Sequence, residues 1–318
     1  MPHGVRTSGA KVPGDLGLRH SPDRAAPFTS GLVLGAQSNV NRSLQSRMRM
    51  NKDEGQKKLV HEKIVVPNMP PRVSRSRLLA LLAENLESYN ATIINGRAGS
   101  GKSVLAADFA RHARRPVSWY KVDAADSDLR VFFEYLLAGV RLHRPFIDGE
   151  RLLELSEAAE GDTAAMLAEA LVFQLGETQA EPLLIVIEDL HLVYDAEWLV
   201  PFFRRLLPLL PADLHLLITC RSMPPAPLWR LRSKQMLRVL DETEMAFTFG
   251  ETVALFETYG LGEEHARVAL RITNGRAATI ASFADTPGGA GRALADSFLE
   301  IKRARSGSLA HQGPDLLT

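Results

Sequence analysis

Short apolar runs alternate with amphipathic stretches through the middle of the chain. Five runs predict buried strands, over residues 91–94, 116–122, 183–187, 214–220 and 236–240. The stretches between them repeat apolar residues at helical spacing, for instance Leu78, Leu82 and Leu86. Strands that alternate with helices are typical of a parallel sheet. The pattern therefore predicts an α/β fold.

Capping residues predict where several helices begin. Ser74 or Ser76 can cap the helix that contains Leu78, and Asp126 or Ser127 can cap the next helix after the second strand. Further helices are predicted over 163–175 and from Trp198 to Leu207. From Phe247 onward the pattern is helical only, with a start at Thr248 or Gly250 and further helices over 263–272 and 277–283. We expect a small helical lid there.

The composition divides the chain into four predicted parts. Residues 1–60 carry ten Lys or Arg and four acids with little periodicity, which predicts a disordered basic arm. We expect the NTP-binding core over 61–245, the lid over 246–300 and a flexible tail over 301–318. The part after the arm holds 28 basic and 33 acidic residues. This balance argues against a large nucleic-acid surface.

Cysteine content and hydropathy indicate the compartment. Cys220 is the single cysteine, so no internal disulfide framework is possible and a reducing environment is expected. No apolar run reaches the roughly 18 residues of a membrane span, and the N-terminal sequence lacks the apolar region of a signal peptide. We expect a cytoplasmic protein that does not bind membranes.

The candidate chemistry centres on a glycine-rich loop between the first strand and the helix after it. The sequence matches G-x-x-x-x-G-K-[ST] at every position: Gly96, Arg97, Ala98, Gly99, Ser100, Gly101, Lys102 and Ser103. The glycines allow positive φ and keep side chains away, so that backbone amides can surround a phosphate. Lys102 would contact the outer phosphates, and the Ser103 hydroxyl would bind Mg²⁺.

Two carboxylates end the third predicted strand. Glu188 and Asp189 follow the apolar run 183–187, at the edge of a parallel sheet where ligands bind. One carboxylate can hold Mg²⁺, and the other can accept a proton from attacking water. Thr219 near the end of the fourth strand and Arg221 just past it are candidate γ-phosphate sensors, with a solvated arginine at a strand end as the alternative.

Residues outside the loop and the strand ends could also take part in a site. Val73 and Arg75, before the first helix, are candidate contacts for the nucleotide base, with an ordinary helix entry as the alternative. His191 and His215 have no partners at metal-ligand spacing, so we expect structural roles for both.

These motifs together resemble the NTPase module of STAND-type signalling ATPases, of the MalT-like or large LuxR-type regulators. The matching segments span residues 62–283, and include 63–67, 73–78, 119–123, 187–191, 219–221, 247–249 and 274–277 besides the glycine-rich loop. The resemblance implies an ATP-dependent switch that self-associates with ATP and is reset by slow hydrolysis. It places Glu188 at the Mg²⁺-associated acid, Asp189 at the water-activating acid and Arg221 at the strand-end sensor.

The sequence departs from this family in three respects. Glu188 stands where the family usually has aspartate, and Gly275-Arg276-Ala277 replaces a Gly-x-Pro element that presses on the base. The family's C-terminal sensor and DNA-binding parts are not present within the 318 residues. Transcription activation is therefore not carried over from the resemblance.

We thus expect a P-loop fold of the additional-strand type that binds ATP and Mg²⁺, hydrolyses ATP slowly and self-associates in the ATP state. Direct DNA binding is not expected. The alternatives are a non-hydrolysing nucleotide-binding scaffold, a phosphotransferase that acts on a small acceptor, and a DNA-associated ATPase that acts through the basic arm.

Overall fold

A computed structural model describes residues 59–157, 162–177 and 181–285. Its centre is a five-stranded sheet of β1 (Ala91–Asn95), β2 (Val117–Lys121), β3 (Leu183–Glu188), β4 (Leu214–Cys220) and β5 (Leu237–Leu240). All neighbouring strands are parallel, in the order β2-β3-β4-β1-β5. Because β4 lies between β1 and β3, the sheet is of the additional-strand type. The predicted fold class is therefore confirmed.

The described ranges contain ten α-helices. They are α1 (Ser76–Ser88), α2 (Lys102–His112), α3 (Leu129–Arg141), α4 (Gly149–Glu157), α5 (Thr163–Gly176), α6 (Leu199–Leu209), α7 (Ala226–Trp229), α8 (Phe249–Glu257), α9 (Glu263–Thr273) and α10 (Ala277–Asp285). Short 3₁₀ turns cover His61–Ile64, Ala124–Ser127, Leu190–Val193 and Arg230–Lys234. None of the helices in these ranges meets the length and hydropathy of a membrane span.

The order of the strands places the helices on both faces of the sheet. The chain moves outward from β1 to β2 through α2, and returns from β2 to β3 and from β3 to β4 through α3–α6. Right-handed crossovers put these two groups on opposite faces. Their buried apolar side chains, such as Leu105 of α2 and Phe202 of α6, cover a sheet whose strands β3 and β4 are buried throughout.

The last three helices have an apolar cluster of their own. Leu255 and Phe256 of α8 pack with Ala266 of α9 and Ile280 of α10, and Val73 of the segment before α1 packs against them. The helical lid predicted from Phe247 onward thus has a core separate from the one beneath α1 and α2. Its predicted end at residue 300 lies outside the described residues, as do the predicted arm up to residue 58 and the predicted tail.

Two of the predicted helix caps are wrong. Arg75 is the N-cap of α1 and makes no side-chain capping bond, while the Ser74 hydroxyl donates to the Asp108 carboxylate. Asp128 caps α3 by accepting a hydrogen bond from the Val131 amide at 3.1 Å.

Asp126, one of the predicted caps of α3, is instead held by Lys63, whose Nζ lies 2.6 Å from its carboxylate. By contrast, α8 begins at Thr248 as predicted, with a reciprocal capping box to Glu251. Helix α4 was not predicted from the sequence.

Candidate functional site

The glycine-rich loop connects β1 to α2 and has the conformation that its sequence predicts. Gly99 and Gly101 have positive φ values of 80° and 89°. Gly96 does not, so the expectation that all three glycines provide positive φ is wrong for this residue. A Cβ atom on Gly96 would lie 2.8 Å from both the Met245 Cε and the Ser100 Oγ atoms. Gly96 is therefore required for space.

The loop keeps several donors available for an anion. Lys102 and Ser103 form the first turn of α2, whose backbone amides have no acceptor within the helix. No hydrogen bond among the described residues uses the amides of Gly99 or Gly101. The Ser100 hydroxyl is buried and has no hydrogen-bond partner. A cradle of amides with an orphaned buried hydroxyl fits a nucleotide phosphate.

Lys102 is buried and turned onto its own loop. Its Nζ atom donates to the Gly96 carbonyl at 2.6 Å and to the Arg97 carbonyl at 3.1 Å. Burial lowers the pKa of Lys102, and the charge of Asp189 partly opposes this shift. Desolvation of an ammonium group is offset by an anion, so the position favours a phosphate close to Nζ.

The two predicted acids differ in their surroundings. Glu188 ends β3, is 3% exposed, and its backbone carbonyl accepts a hydrogen bond from Val122. Asp189 has a positive φ of 59°, and its amide donates to the Thr219 hydroxyl at 3.0 Å. An aspartate held in this sparsely populated region is typical of functional sites.

Asp189 is the centre of a polar cluster at the ends of β3 and β4. Its carboxylate lies 3.7 Å from Arg221 Nε and 3.7 Å from His191 Nδ1. Burial lowers the pKa of His191, and the charges of Arg221 and Lys102 act in the same direction. The structure therefore brings Lys102, Asp189 and Arg221 together, and adds His191, for which only a structural role was expected.

His215, by contrast, lies at the opposite end of β4 from this cluster. It is held between the Tyr89 carbonyl and the Thr92 hydroxyl.

Arg75 lies beside the loop and is 6% exposed. Its Nη1 atom donates to the Met245 carbonyl at 2.6 Å, and its guanidinium group lies 4.8 Å from the centre of the Phe247 ring. A Cβ atom on Gly101 would be 3.5 Å from its Nη2 atom. Arg75 is thus next to the phosphate cradle, and its proposed contact with the base stays a prediction.

The lid contacts the loop directly, which the sequence did not indicate. The Ala278 amide in the first turn of α10 donates to the Gly99 carbonyl at 2.9 Å, and Arg276 donates to the Ala98 carbonyl. Ala277 is close enough that a Cβ atom on Gly101 would approach its own Cβ to 3.2 Å. The segment Gly275-Arg276-Ala277 therefore packs on the phosphate loop.

The outer side of the loop is tied to the end of β5. Arg97 Nε lies 3.0 Å from a Glu242 carboxylate oxygen, and the Arg97 amide donates to the same residue at 3.4 Å. This hydrogen-bonded pair lowers the pKa of Glu242. Glu242 could not be recognised from the sequence, because it lies 145 residues from Arg97 and in no known motif.

The sheet order, the loop and the acids define a P-loop NTPase of the additional-strand type. Residues 72–219 match the family model described as AAA ATPase domain. The chain is 30% identical over 188 residues to the HTH-type transcriptional regulator MalT of Serratia proteamaculans (strain 568), and 29% identical over 185 residues to that of Yersinia enterocolitica. Each match covers 58% of this chain and 20% of the relative. The chain therefore contains a P-loop NTPase module that is similar to AAA ATPase domains over residues 72–219 and to the MalT regulators over 58% of its length.

The chain spans about a fifth of the length of these curated relatives. Among solved structures, a Walker-type ATPase of Pyrococcus abyssi matches with a TM-score of 0.45 and 16% identity, over 77% of each chain.

Proposed function

We propose that this chain is a signalling switch in which ATP and Mg²⁺ bind at the phosphate loop and slow hydrolysis resets the bound state. The observation that carries the proposal is the contact between lid and loop. Two carbonyls of the loop accept hydrogen bonds from Arg276 and from the start of α10. A ligand that fixes the loop must therefore alter the stability of this contact.

Each residue has a proposed role. The amides of the loop and Lys102 bind the phosphates. Ser103 and Glu188 would hold Mg²⁺, with Asp189 beside them, and the ion when bound would neutralise charge on the phosphate oxygens. Asp189 accepts the proton of the attacking water, and Arg221 offsets charge at the γ-phosphate.

The relatives of this chain extend this proposal. Because the matched relatives are described as transcriptional regulators, we propose that the switch acts in transcriptional regulation and that the ATP state self-associates. The protein is proposed to act in the cytoplasm. The proposed lid comprises residues 246–300, with the NTPase core over 61–245.

A second function is supported by the surroundings of Asp189. Its carboxylate lies 3.7 Å from Arg221 Nε and 3.7 Å from His191 Nδ1, so contacts within the protein compete with an attacking water for its oxygens. This arrangement supports a nucleotide-binding protein that does not hydrolyse ATP. Phosphate release by the unaltered protein distinguishes the two functions.

Two substitutions test the assignment. Lys102→Ala should weaken ATP binding by more than about tenfold, because the buried ammonium group is lost. Asp189→Asn should retain ATP binding and stop phosphate release. Asp195→Asn, at an exposed position six residues on, is the matched control and should change neither quantity. Unchanged turnover in Asp189→Asn would remove the proposed base.

A further inference from the structure

Two segments of this nearly neutral chain carry large and opposite charges. Residues 149–181 hold eight acidic residues and one basic residue, a net charge of −7. Residues 201–240 hold seven basic residues and one acidic residue, a net charge of +6. The charges of the two segments nearly cancel, and the net charge of the whole chain is only +1.

The basic segment has three exposed cations close together on its 3₁₀ turn, besides Arg204 on α6. Arg230, Arg232 and Lys234 are exposed, and we call them the basic face. The Arg232 guanidinium lies 4.3 Å from the centre of the Trp229 ring. Within the described ranges, none of the three cations forms an ion pair, so their charge is available to a partner.

Two exposed acids of the acidic segment lie one turn apart on α4, which also carries the basic residue of the segment, Arg151. Glu150 and Glu154 are exposed and have no ion pair with any described residue, and we call them the acidic face. With Leu153 and Arg130 they line a groove, and Arg130 pairs with Glu134 at 3.0 Å. Two carboxylates beside an apolar side chain match both the charged head and the methylene stem of an arginine or lysine.

The two faces lie toward opposite edges of the sheet. Helix α4 packs on α3, which packs on the edge strand β2, whereas the 3₁₀ turn 230–234 packs on the other edge strand, β5. The faces therefore cannot pair within one molecule. Helices α5 and α6 lie between them, and Arg205 of α6 is paired there with Glu169 of α5.

This arrangement selects one mode of association. A twofold symmetric contact through either face would place like charges together, whereas a head-to-tail contact places the basic face against the acidic face. We propose that the basic face of one copy of this chain docks on the acidic face of the next copy, in a head-to-tail assembly. This inference rests on the self-association in the proposed function and names its surfaces.

The test is a charge swap followed by sedimentation velocity, with a non-hydrolysable ATP analogue and Mg²⁺. Arg232→Glu/Lys234→Glu and Glu150→Lys/Glu154→Lys should each raise the dissociation constant of the assembly by about tenfold or more, because like charges then meet. An equimolar mixture of the two variants should reassemble, and so should one chain that carries all four changes. Raising the salt concentration should weaken every one of these assemblies.

Control variants carry the same change in charge at other exposed positions. Arg114→Glu/Arg271→Glu and Glu84→Lys/Glu257→Lys should assemble as the unaltered chain does. Nucleotide affinity is measured in parallel by fluorescence of a labelled ATP analogue. All variants should retain it, because neither face contains a residue of the phosphate loop.

Several results would overturn the inference. They are assembly that is unchanged by either reversal, a mixture that fails to reassemble, and a nucleotide-bound protein that stays monomeric. Retention of a DNA duplex by the monomer, lost in Arg232→Glu/Lys234→Glu, would assign the basic face to nucleic acid instead. Absence of nucleotide binding by the unaltered chain would refute the proposed function, whereas charge swaps without effect on an assembly that forms would refute the interface alone.

Discussion

Replacement of Gly275 by alanine should destabilise the lid through two separate effects. Gly275 has a positive φ of 79°, which disfavours any residue with a Cβ atom. A Cβ atom there would lie 2.9 Å from the backbone N and O atoms of Phe247 and from the Ala246 Cβ atom. The Phe247 amide also donates to the Gly275 carbonyl at 2.8 Å, so these two segments cannot separate without loss of a hydrogen bond.

The expected cost follows from adding the two effects. A left-handed conformation costs roughly 1–2 kcal/mol for a residue with a Cβ atom. Overpacking against fixed neighbours costs roughly 1–3 kcal/mol more. Gly260→Ala is the matched comparison, because Gly260 has a φ of 70° and a Cβ atom there would meet nothing within 4 Å. Gly275→Ala should therefore cost about 2 kcal/mol more than Gly260→Ala.

Urea denaturation gives the free energy of unfolding of both variants, and hydrogen exchange reports on α8–α10 separately. The exchange measurement is needed because the lid has its own apolar cluster and can open before the core unfolds. Equal destabilisation by the two substitutions would refute the argument from close packing. Arg276 follows Gly275 directly, so Gly275→Ala should also weaken the Arg276 contact with the phosphate loop.

Three further predictions concern the same fold. Burial lowers the pKa of His215 to about 4, compared with a pKa of 6.5 in the unfolded chain. Between these two pH values the unfolded chain binds a proton that the folded chain does not bind. The free energy of unfolding should therefore fall by about 3 kcal/mol in total as the pH is lowered from 6.5 to 4. His215→Gln should flatten this dependence. Lys63→Met leaves the buried Asp126 carboxylate without its ion pair and should lower the free energy of unfolding by about 3–5 kcal/mol. Lys121→Met, at an exposed position, should be nearly neutral in the same urea titration. Arg276→Ala should speed hydrogen exchange in α10 and weaken ATP binding, as measured by calorimetry.

The sheet could be predicted from sequence because its strands are buried on both faces. Runs such as Leu183–Ile187 and Leu214–Cys220 have no polar face to confuse the pattern, and each is observed within about one residue of its predicted bounds. The phosphate loop was equally accessible, since its chemistry needs particular residue types at fixed spacing. Local sequence therefore carried both the fold class and the position of the loop.

Features that depend on distant partners could not be predicted. Serine is a common helix-capping residue, but the Ser74 hydroxyl donates a hydrogen bond to Asp108, which the fold places beside it. Arg276 is separated by 178 residues from its acceptor on Ala98. His191 gave one usable signal, because it follows Asp189 by two residues at the end of a buried strand, where a short 3₁₀ turn returns its ring to the carboxylate.

The sign of the coupling between lid and nucleotide follows from which atoms of the loop each would use. Lys102 and the lid occupy the carbonyls of the loop: Gly96, Arg97, Ala98 and Gly99. A phosphate binds to amides, and in a planar peptide the amide points away from its carbonyl. The lid and a nucleotide can therefore bind the loop together, and each should stabilise the other. By reciprocity, two factors should be equal. One is the factor by which Arg276→Ala weakens ATP binding, and the other is the factor by which the same substitution reduces the protection that ATP gives α10 against hydrogen exchange. Stronger ATP binding in Arg276→Ala would instead show that the lid competes with the nucleotide for the loop.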